Sequence, residues 1–270
     1  MDGSGRKVLL TGASGGIGRA IAHQLADTGA RLLLSARDAI RLAELARELP
    51  QDTVTVVADI TSTIDRAALV QAAHEMGIDM VIHNAGVQEF GLFQQQDPGV
   101  LQQQLELNLC APMLLSRELL PLLLQQETAA LVFIGSTFGS IGHPGFAAYC
   151  ASKFGLRGLA ESLRRELADT GVRVHYLAPR ATRTALNGPR VDALNKALGN
   201  ATDEPEVVAG ELLRLLAHER SSERFVGWPE KLFVRINAVL PRIVDSALAG
   251  KLAIVRRFAS PETSFERTDT

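Results

Sequence analysis

Short runs of consecutive apolar residues alternate along the chain with longer stretches whose apolar positions recur every three or four residues. The short runs are Val8-Leu9-Leu10, Leu32-Leu33-Leu34, 54–58, Met80-Val81-Ile82, Leu131-Val132-Phe133-Ile134 and 172–177. The continuous apolar ones read as strands covered on both sides, 54–58 is β-branched and strand-like, and 172–177 makes a sixth candidate, so the set is expected to form a sheet covered on both faces. Helical patterns lie between them at 17–28, 39–49 and 64–74, with a long one around 100–126. This alternation predicts an α/β fold, a doubly wound parallel sheet with helices on both faces. After Pro179 the pattern changes. Residues 180–202 carry few strand signals, 205–219 read as a helix and 224–227 as a short edge strand. No linker, repeat or low-complexity segment interrupts the rhythm. Residues 1–228 are therefore expected to form one domain, with 229–260 as an amphipathic extension of it and 261–270 as a disordered tail.

The first strand runs into Thr11-Gly12-Ala13-Ser14-Gly15-Gly16-Ile17-Gly18, where helix begins. Glycines at such a junction let backbone approach a pyrophosphate closely, and the helix N-terminus offers unpaired N–H groups and a positive dipole end. Any tight turn can use glycines, but a cluster at the first strand–helix junction favours a dinucleotide and a Rossmann-type sheet. The second strand ends in Leu34-Ser35-Ala36-Arg37-Asp38. An acidic residue near this point accepts from the adenosine ribose in dinucleotide folds and repels a 2′-phosphate. Here Ala36 takes the acidic position and Arg37 follows, either as a phosphate partner or as a solvated loop charge. Asp38 is better placed to cap the next helix. This pattern favours NADP(H) over NAD(H).

Tyr149 and Lys153 are four apart within a helical pattern, which puts them on one face. A phenol with a pKa near ~10 is a poor acid–base group at neutral pH. An adjacent ammonium, or the positive charge of an oxidised nicotinamide, stabilises the phenolate and lowers that value. A Tyr-x-x-x-Lys pair alone is common on ordinary helices. Here it closes an ordered series: Thr11, Gly12, Gly16 and Gly18; Asn84-Ala85-Gly86; Asn108; Ser136; and Tyr149 with Lys153. In this order and spacing, with Ser136 thirteen residues before Tyr149, the chain resembles the short-chain dehydrogenase/reductase family over residues 6–228.

The resemblance implies a set of roles. Tyr149 would pass the proton to or from the carbonyl oxygen, and Ser136 would hydrogen-bond that oxygen. Lys153 would lower the Tyr149 pKa and contact the nicotinamide ribose. Asn108 would hold a water linking Lys153 to solvent. Ser14 and Ile17 belong to the phosphate turn, Asp59 with its neighbour Ile60 would contact the adenine, and Asn84, Ala85 and Gly86 would line the adenosine side. Pro179, Thr182 and Thr184 fall in the segment that holds the nicotinamide carboxamide. His83, in place of the family's usual Asn, is expected to be a surface or satisfied histidine, as are His143 and His175, and Cys150 a packing residue.

Two segments depart from the family pattern. Arg180 replaces a glycine after Pro179, and Arg180 and Arg183 lie beside the expected substrate entrance. Either they bind an anionic substrate, such as a carrier- or coenzyme-A-linked acyl chain, or they are solvated loop charges. In the tail, Leu232, Ile236, Val239, Leu240, Ile243, Ala247 and Leu248 recur at helical spacing, with Pro241 as an interruption. Residues 228–258 hold six basic and two acidic residues, against a whole-chain net charge of -2. A basic amphipathic stretch can make peripheral contact with an anionic membrane, or can pack over the cleft or a second subunit.

The global charge offers no reason to expect a nucleic-acid partner. Cys110 and Cys150 are too few for a disulfide framework and lack metal-ligand spacing, so no metal is expected and a reducing cytoplasm fits. Residues 1–7 do not read as a signal peptide, and no run nears the ~18 apolar residues of a membrane span. The expected function is NADP(H)-dependent interconversion of a small-molecule ketone and secondary alcohol, with a 3-oxoacyl thioester as first substrate candidate. A homodimer or homotetramer is expected. The alternative is a non-catalytic NADP(H)-binding sensor on the same fold.

Overall fold

The computed structural model describes residues 5–218 and 220–259. Seven strands form one sheet: β1 (Lys7–Thr11), β2 (Arg31–Ala36), β3 (Val54–Val57), β4 (Met80–His83), β5 (Ala129–Ile134), β6 (Val172–Ala178) and β7 (Glu223–Phe225). Their order is β3-β2-β1-β4-β5-β6-β7, and every pairing is parallel. Two covered faces explain the continuous apolar runs of the inner strands; β3, expected to be covered as well, lies at the sheet edge and leaves Val54 and Val57 exposed. Val8, Leu10, Leu32, Leu34, Ile82 and Val132 pack on one side, against α1 (Gly16–Asp27), α2 (Ala39–Arg47) and α8 (Pro205–Leu216). Leu9, Leu33, Val81, Leu131 and Phe133 pack on the other, against α3 (Thr63–Met76), α5 (Ala111–Leu123) and α6 (Ala147–Glu166). Strand order reverses between β1 and β4, so their C-terminal ends diverge and leave a crevice there.

Local chemistry sets the helix starts. The Asp38 carboxylate accepts from the Arg41 N–H at 3.0 Å and opens α2. Ser62 does the same for α3, and Asp97 for α4 (Pro98–Leu105). The pattern at 100–126 is not one helix. A π turn, Glu106–Cys110, separates α4 from α5 and carries Asn108 to a buried position. The predicted strand at 224–227 lies at Glu223–Phe225 instead, because Gly227 takes φ +93°, which no strand residue adopts. Residues 180–202 contain a helix that the pattern did not reveal, α7 (Pro189–Leu198), with Pro189 in its first turn and Gly199 at φ +66° closing it.

The C-terminal extension is three helices: α9 (Glu230–Val239), α10 (Pro241–Ala249) and α11 (Leu252–Ala259). Leu240, at φ −132° and ψ 62°, breaks the chain where Pro241 begins the next helix. Val255 is fully buried among Phe90, Phe146 and Leu194. Arg190 of α7 donates to the carbonyls of Phe258 at 2.9 Å and Ala259 at 2.6 Å, and its guanidinium lies over the Phe90 ring. Asn237 donates to the Ser140 carbonyl at 2.8 Å. Of the two uses open to the tail, packing over the cleft is therefore the one its buried residues serve. Val239, Leu240 and Ile243 stay exposed. No described helix is long and apolar enough to cross a membrane. The tail expected at 261–270 lies outside the described residues.

Val255→Asp puts a carboxylate among Phe90, Phe146 and Leu194, which costs several kcal/mol locally. The expected result is rapid trypsin cleavage after Lys251 or Arg256, with the sheet domain still folded. Unchanged cleavage would contradict the packing described.

Candidate active site

The β1–α1 turn is shaped by clashes that only glycine avoids. A Cβ on Gly12, at φ +64°, would lie 2.7 Å from the Ala85 Cα, and one on Gly18 would lie 2.2 Å from the Gly12 carbonyl oxygen. Asn84 Nδ2 donates to the carbonyls of Gly12 at 3.0 Å and Thr11 at 3.2 Å. The Thr11 hydroxyl in turn accepts from the N–H groups of Asn84 and Ala85. Thr11, Asn84 and Ala85 thus brace the turn from beneath. Above it, the first turn of α1 carries no acidic residue and Gly15 caps it without a side chain. The N–H groups there are open to an anion.

Ser14, Gly16, Ile17, Gly18, Asn84, Ala85 and Gly86 line a cleft of about 480 Å³ with Arg37 and Ile60. The Arg37 side chain is 61 % exposed and lies 3.9 Å from Asp59. Asp59 accepts from the Thr61 N–H at 3.0 Å and hydroxyl at 2.7 Å. Burial pushes its carboxyl up, but those bonds and the Arg37 charge outweigh it, so it stays ionised below the ordinary range. Asp59 itself does not line the cleft; its neighbours Ala58 and Ile60 do. The Ser35 hydroxyl, also lining the cleft, has no hydrogen-bond partner among the described residues. Arg41 lines the same wall and was missed in the sequence; the signal was a second guanidinium one helical turn after Arg37. Glycine clearance and open helix N–H groups fit the pyrophosphate of a dinucleotide.

Tyr149 and Lys153 face inward from α6, both almost fully buried. Tyr149 is hydrogen-bonded to the Ser136 side chain at the end of β5. Ser136 Oγ also accepts from the Phe138 N–H at 3.1 Å. Lys153 Nζ donates to the Ile134 carbonyl at 3.1 Å and sits 5.8 Å from the Tyr149 ring centre. Asn108 Oδ1 accepts from the Val87 N–H at 2.8 Å, while its Nδ2 donates to the Val87 carbonyl at 2.8 Å and to Ser152 Oγ at 3.1 Å. It pins the segment after β4 beside Lys153, and does not bond backbone within its own helix. Burial pushes the Tyr149 phenol up to about 12, with the Ser136 bond only partly offsetting it. Burial also pushes the Lys153 ammonium down to about 8. The expected lowering of Tyr149 by Lys153 is not seen in the protein alone, where the ammonium is held on the Ile134 carbonyl and desolvation dominates.

Pro179, Thr182 and Thr184 line a second cavity of about 470 Å³ together with Ser136, Tyr149 and Lys153. Arg180 answers to neither of its expected uses. Its guanidinium makes a two-pronged pair with Asp203 at 2.7 and 2.9 Å and reaches Glu230 at 3.3 Å, with its side chain only 16 % exposed. It ties the end of β6 to the start of α9. Arg183 is exposed and paired with Glu204. His83 and His175 are buried, with one ring nitrogen of each lacking a described partner, and burial pushes them down to about 3 and about 4. They are core histidines rather than surface ones. His143 bonds the Pro144 carbonyl and stacks on Phe138 at the cavity wall. The Cys150 thiol is buried, which pushes it up and keeps it protonated, as suits a packing residue.

The sequence profile of the short chain dehydrogenases matches residues 6–195. The chain belongs to the short-chain dehydrogenase/reductase family. It is similar to the 3-oxoacyl-[acyl-carrier-protein] reductase FabG of Rickettsia bellii, 32% identical over 82% of this chain and 93% of that one. It is 35% identical to nodulation protein G of a Rhizobium species, over 72% of this chain and 80% of that one. Among solved structures, a short-chain dehydrogenase from Streptomyces avermitilis superposes with a TM-score of 0.78 at 26% identity, covering 93% of this chain and 98% of the other. A 3-ketoacyl-(acyl-carrier-protein) reductase from Brucella melitensis, complexed with NADH, shares the fold at TM-score 0.75 and 23% identity over 83% and 98%. This short-chain dehydrogenase is thus an oxidoreductase on a Rossmann fold.

Arg180→Ala leaves Asp203 half-buried without its cation, at a cost of about 2–3 kcal/mol. Calorimetry should show the thermal midpoint falling by about 4–10 °C. Arg183→Ala, at an exposed pair, should leave it within about 2 °C. Equal effects from the two would contradict the structural part given to Arg180.

Proposed function

We propose that this short-chain dehydrogenase interconverts a ketone and a secondary alcohol with NADP(H) as hydride partner. One observation carries the reading: Ser136, Tyr149 and Lys153 line the apolar cavity, and Ile17, Asn84, Gly86, Thr184 and Leu186 line both that cavity and the glycine-rich cleft. A hydride donor in one and a carbonyl in the other would share a wall with one acid–base group between them. Arg37, exposed at the end of β2 with Arg41 nearby, supports the phosphorylated dinucleotide over the plain one. Bound there, the cofactor supplies or takes up the hydride, and its cationic oxidised form favours the phenolate.

In reduction, Ser136 and Tyr149 both hydrogen-bond the carbonyl oxygen and orient it. With its high pKa, Tyr149 holds its proton at neutral pH and donates it as negative charge develops on that oxygen. Lys153, still cationic below about 8, stabilises the phenolate left behind. Asn108 is a positioning residue: it fixes the 86–87 segment and the Ser152 side chain on either side of Lys153. A 3-oxoacyl thioester is supported as substrate by the similarity to the 3-oxoacyl-[acyl-carrier-protein] reductase of Rickettsia bellii. Exposed Leu105, Met113 and Phe154 on α4, α5 and α6 offer apolar surface that a second copy would cover, in keeping with a homo-oligomer. The free Cys110 and Cys150 suit a reducing compartment such as the cytoplasm. A non-catalytic sensor gains nothing from the three converged side chains.

Tyr149→Phe should cut ketone reduction by about 10³-fold while leaving NADPH affinity within about twofold. Retained turnover would overturn the proposed chemistry, and a sensing role that survives the change would favour the sensor. The reduction rate in wild type should be flat at neutral pH and fall as pH rises through about 8, where Lys153 loses its proton. Lys153→Arg should move that fall upward, since guanidinium stays charged. A break unmoved by the substitution would assign it to another group.

A further inference from the structure

One wall of the substrate cavity is built from α7 and the C-terminal helices. Val191 and Leu194 of α7, which also pack with Tyr149, line it together with Phe233 of α9 and Ile243, Val244 and Leu248 of α10. This is hydrocarbon surface, suited to an extended apolar body. Four charged residues line the cavity: Lys153, Arg180, Glu230 and Lys251. Lys153 belongs to the catalytic group, and Arg180 is shared between Asp203 and Glu230. Lys251, between α10 and α11, has no ion pair among the described residues. Its field reaches His143 on the β5 side of the cavity, which helps keep that ring neutral alongside burial. The cavity therefore has an acid–base group at one end, apolar sides and an unmatched cation on its rim.

We propose that the cavity takes a free amphipathic ketone or secondary alcohol in place of a carrier-linked thioester, with its hydrocarbon body against α7 and α10 and a terminal anion, such as a carboxylate, paired with Lys251. This deepens the reading of the site as a ketone reductase and rests on it for the reactive end. It makes Lys251 a specificity-determining residue. Arg180, already spent on Asp203 and Glu230, is not the anion's partner.

Binding tests this without turnover. Isothermal titration of the full-length protein with octanoate and with 1-octanol reads the charged end and the chain separately. Octanoate is expected to bind about fivefold more tightly, the strength of a partly exposed ion pair. Lys251→Gln should abolish that preference and leave 1-octanol unchanged. Ile243→Gln, at a half-exposed wall position where folding is not at stake, should weaken both ligands by a similar factor. Equal affinities in wild type, a preference that survives Lys251→Gln, indifference to Ile243→Gln, or no binding of either ligand would each overturn the proposal. Because no hydride moves, failure here leaves the reductase reading standing, and failure of Tyr149→Phe to lower turnover leaves this result intact.

Discussion

A methyl group on Gly12 would fall 2.7 Å from the backbone of Ala85, so the β1–α1 turn and the end of β4 are in contact as closely as two chains can be. That approach occurs where strand order reverses, and the helix–strand layers on either side pull the neighbouring connections apart. The crevice so formed places the open N–H groups of α1 at its floor. Asn84, which braces the turn, also lines both clefts, and the segment after it is fastened by Asn108 beside Lys153. The same backbone therefore shapes the phosphate cradle and spaces the acid–base group from it.

Burial then sets the chemistry. Removing Tyr149 and Lys153 from water disfavours the charged form of each, so a reluctant phenol sits beside a weakened ammonium. Neither is tuned by the other across ordinary hydrogen-bond distance; the ammonium is held to the Ile134 carbonyl instead. A low-dielectric pair of this kind responds strongly to any charge brought into the cleft, which is what a binding site for a cationic ring requires. The tail contributes by excluding solvent. It is fixed at three places, through Arg180, Arg190 and Asn237, each bonding a carboxylate or carbonyl across the cleft rim.

The sheet was legible because strands covered on both faces need an apolar centre, and β1, β2, β4 and β5 each carry at least three consecutive apolar residues. The site was legible wherever a residue type is forced by geometry, as at Gly12 and Gly18, or by helical spacing, as at Tyr149 and Lys153. What stayed hidden has physical reasons. A π turn at Glu106–Cys110 has the same apolar period as the helices beside it, so 100–126 read as one element. Helix α7 buries only Val191 and Leu194, too few to register as a periodic stripe. Arg180 reads as a loop charge because its partners, Asp203 and Glu230, are 23 and 50 residues away in sequence. The covering role of the tail depended on the same long-range contacts.

The most direct test of the account is a fluorescence titration of the purified protein with NADPH and, separately, NADH, repeated on Arg37→Ala. The account predicts tight NADPH binding in wild type, weaker NADH binding, and loss of the difference when Arg37 is removed. Binding of neither nucleotide would contradict the central claim that the glycine-rich crevice is a dinucleotide site, and an NADPH preference untouched by Arg37→Ala would remove Arg37 from it.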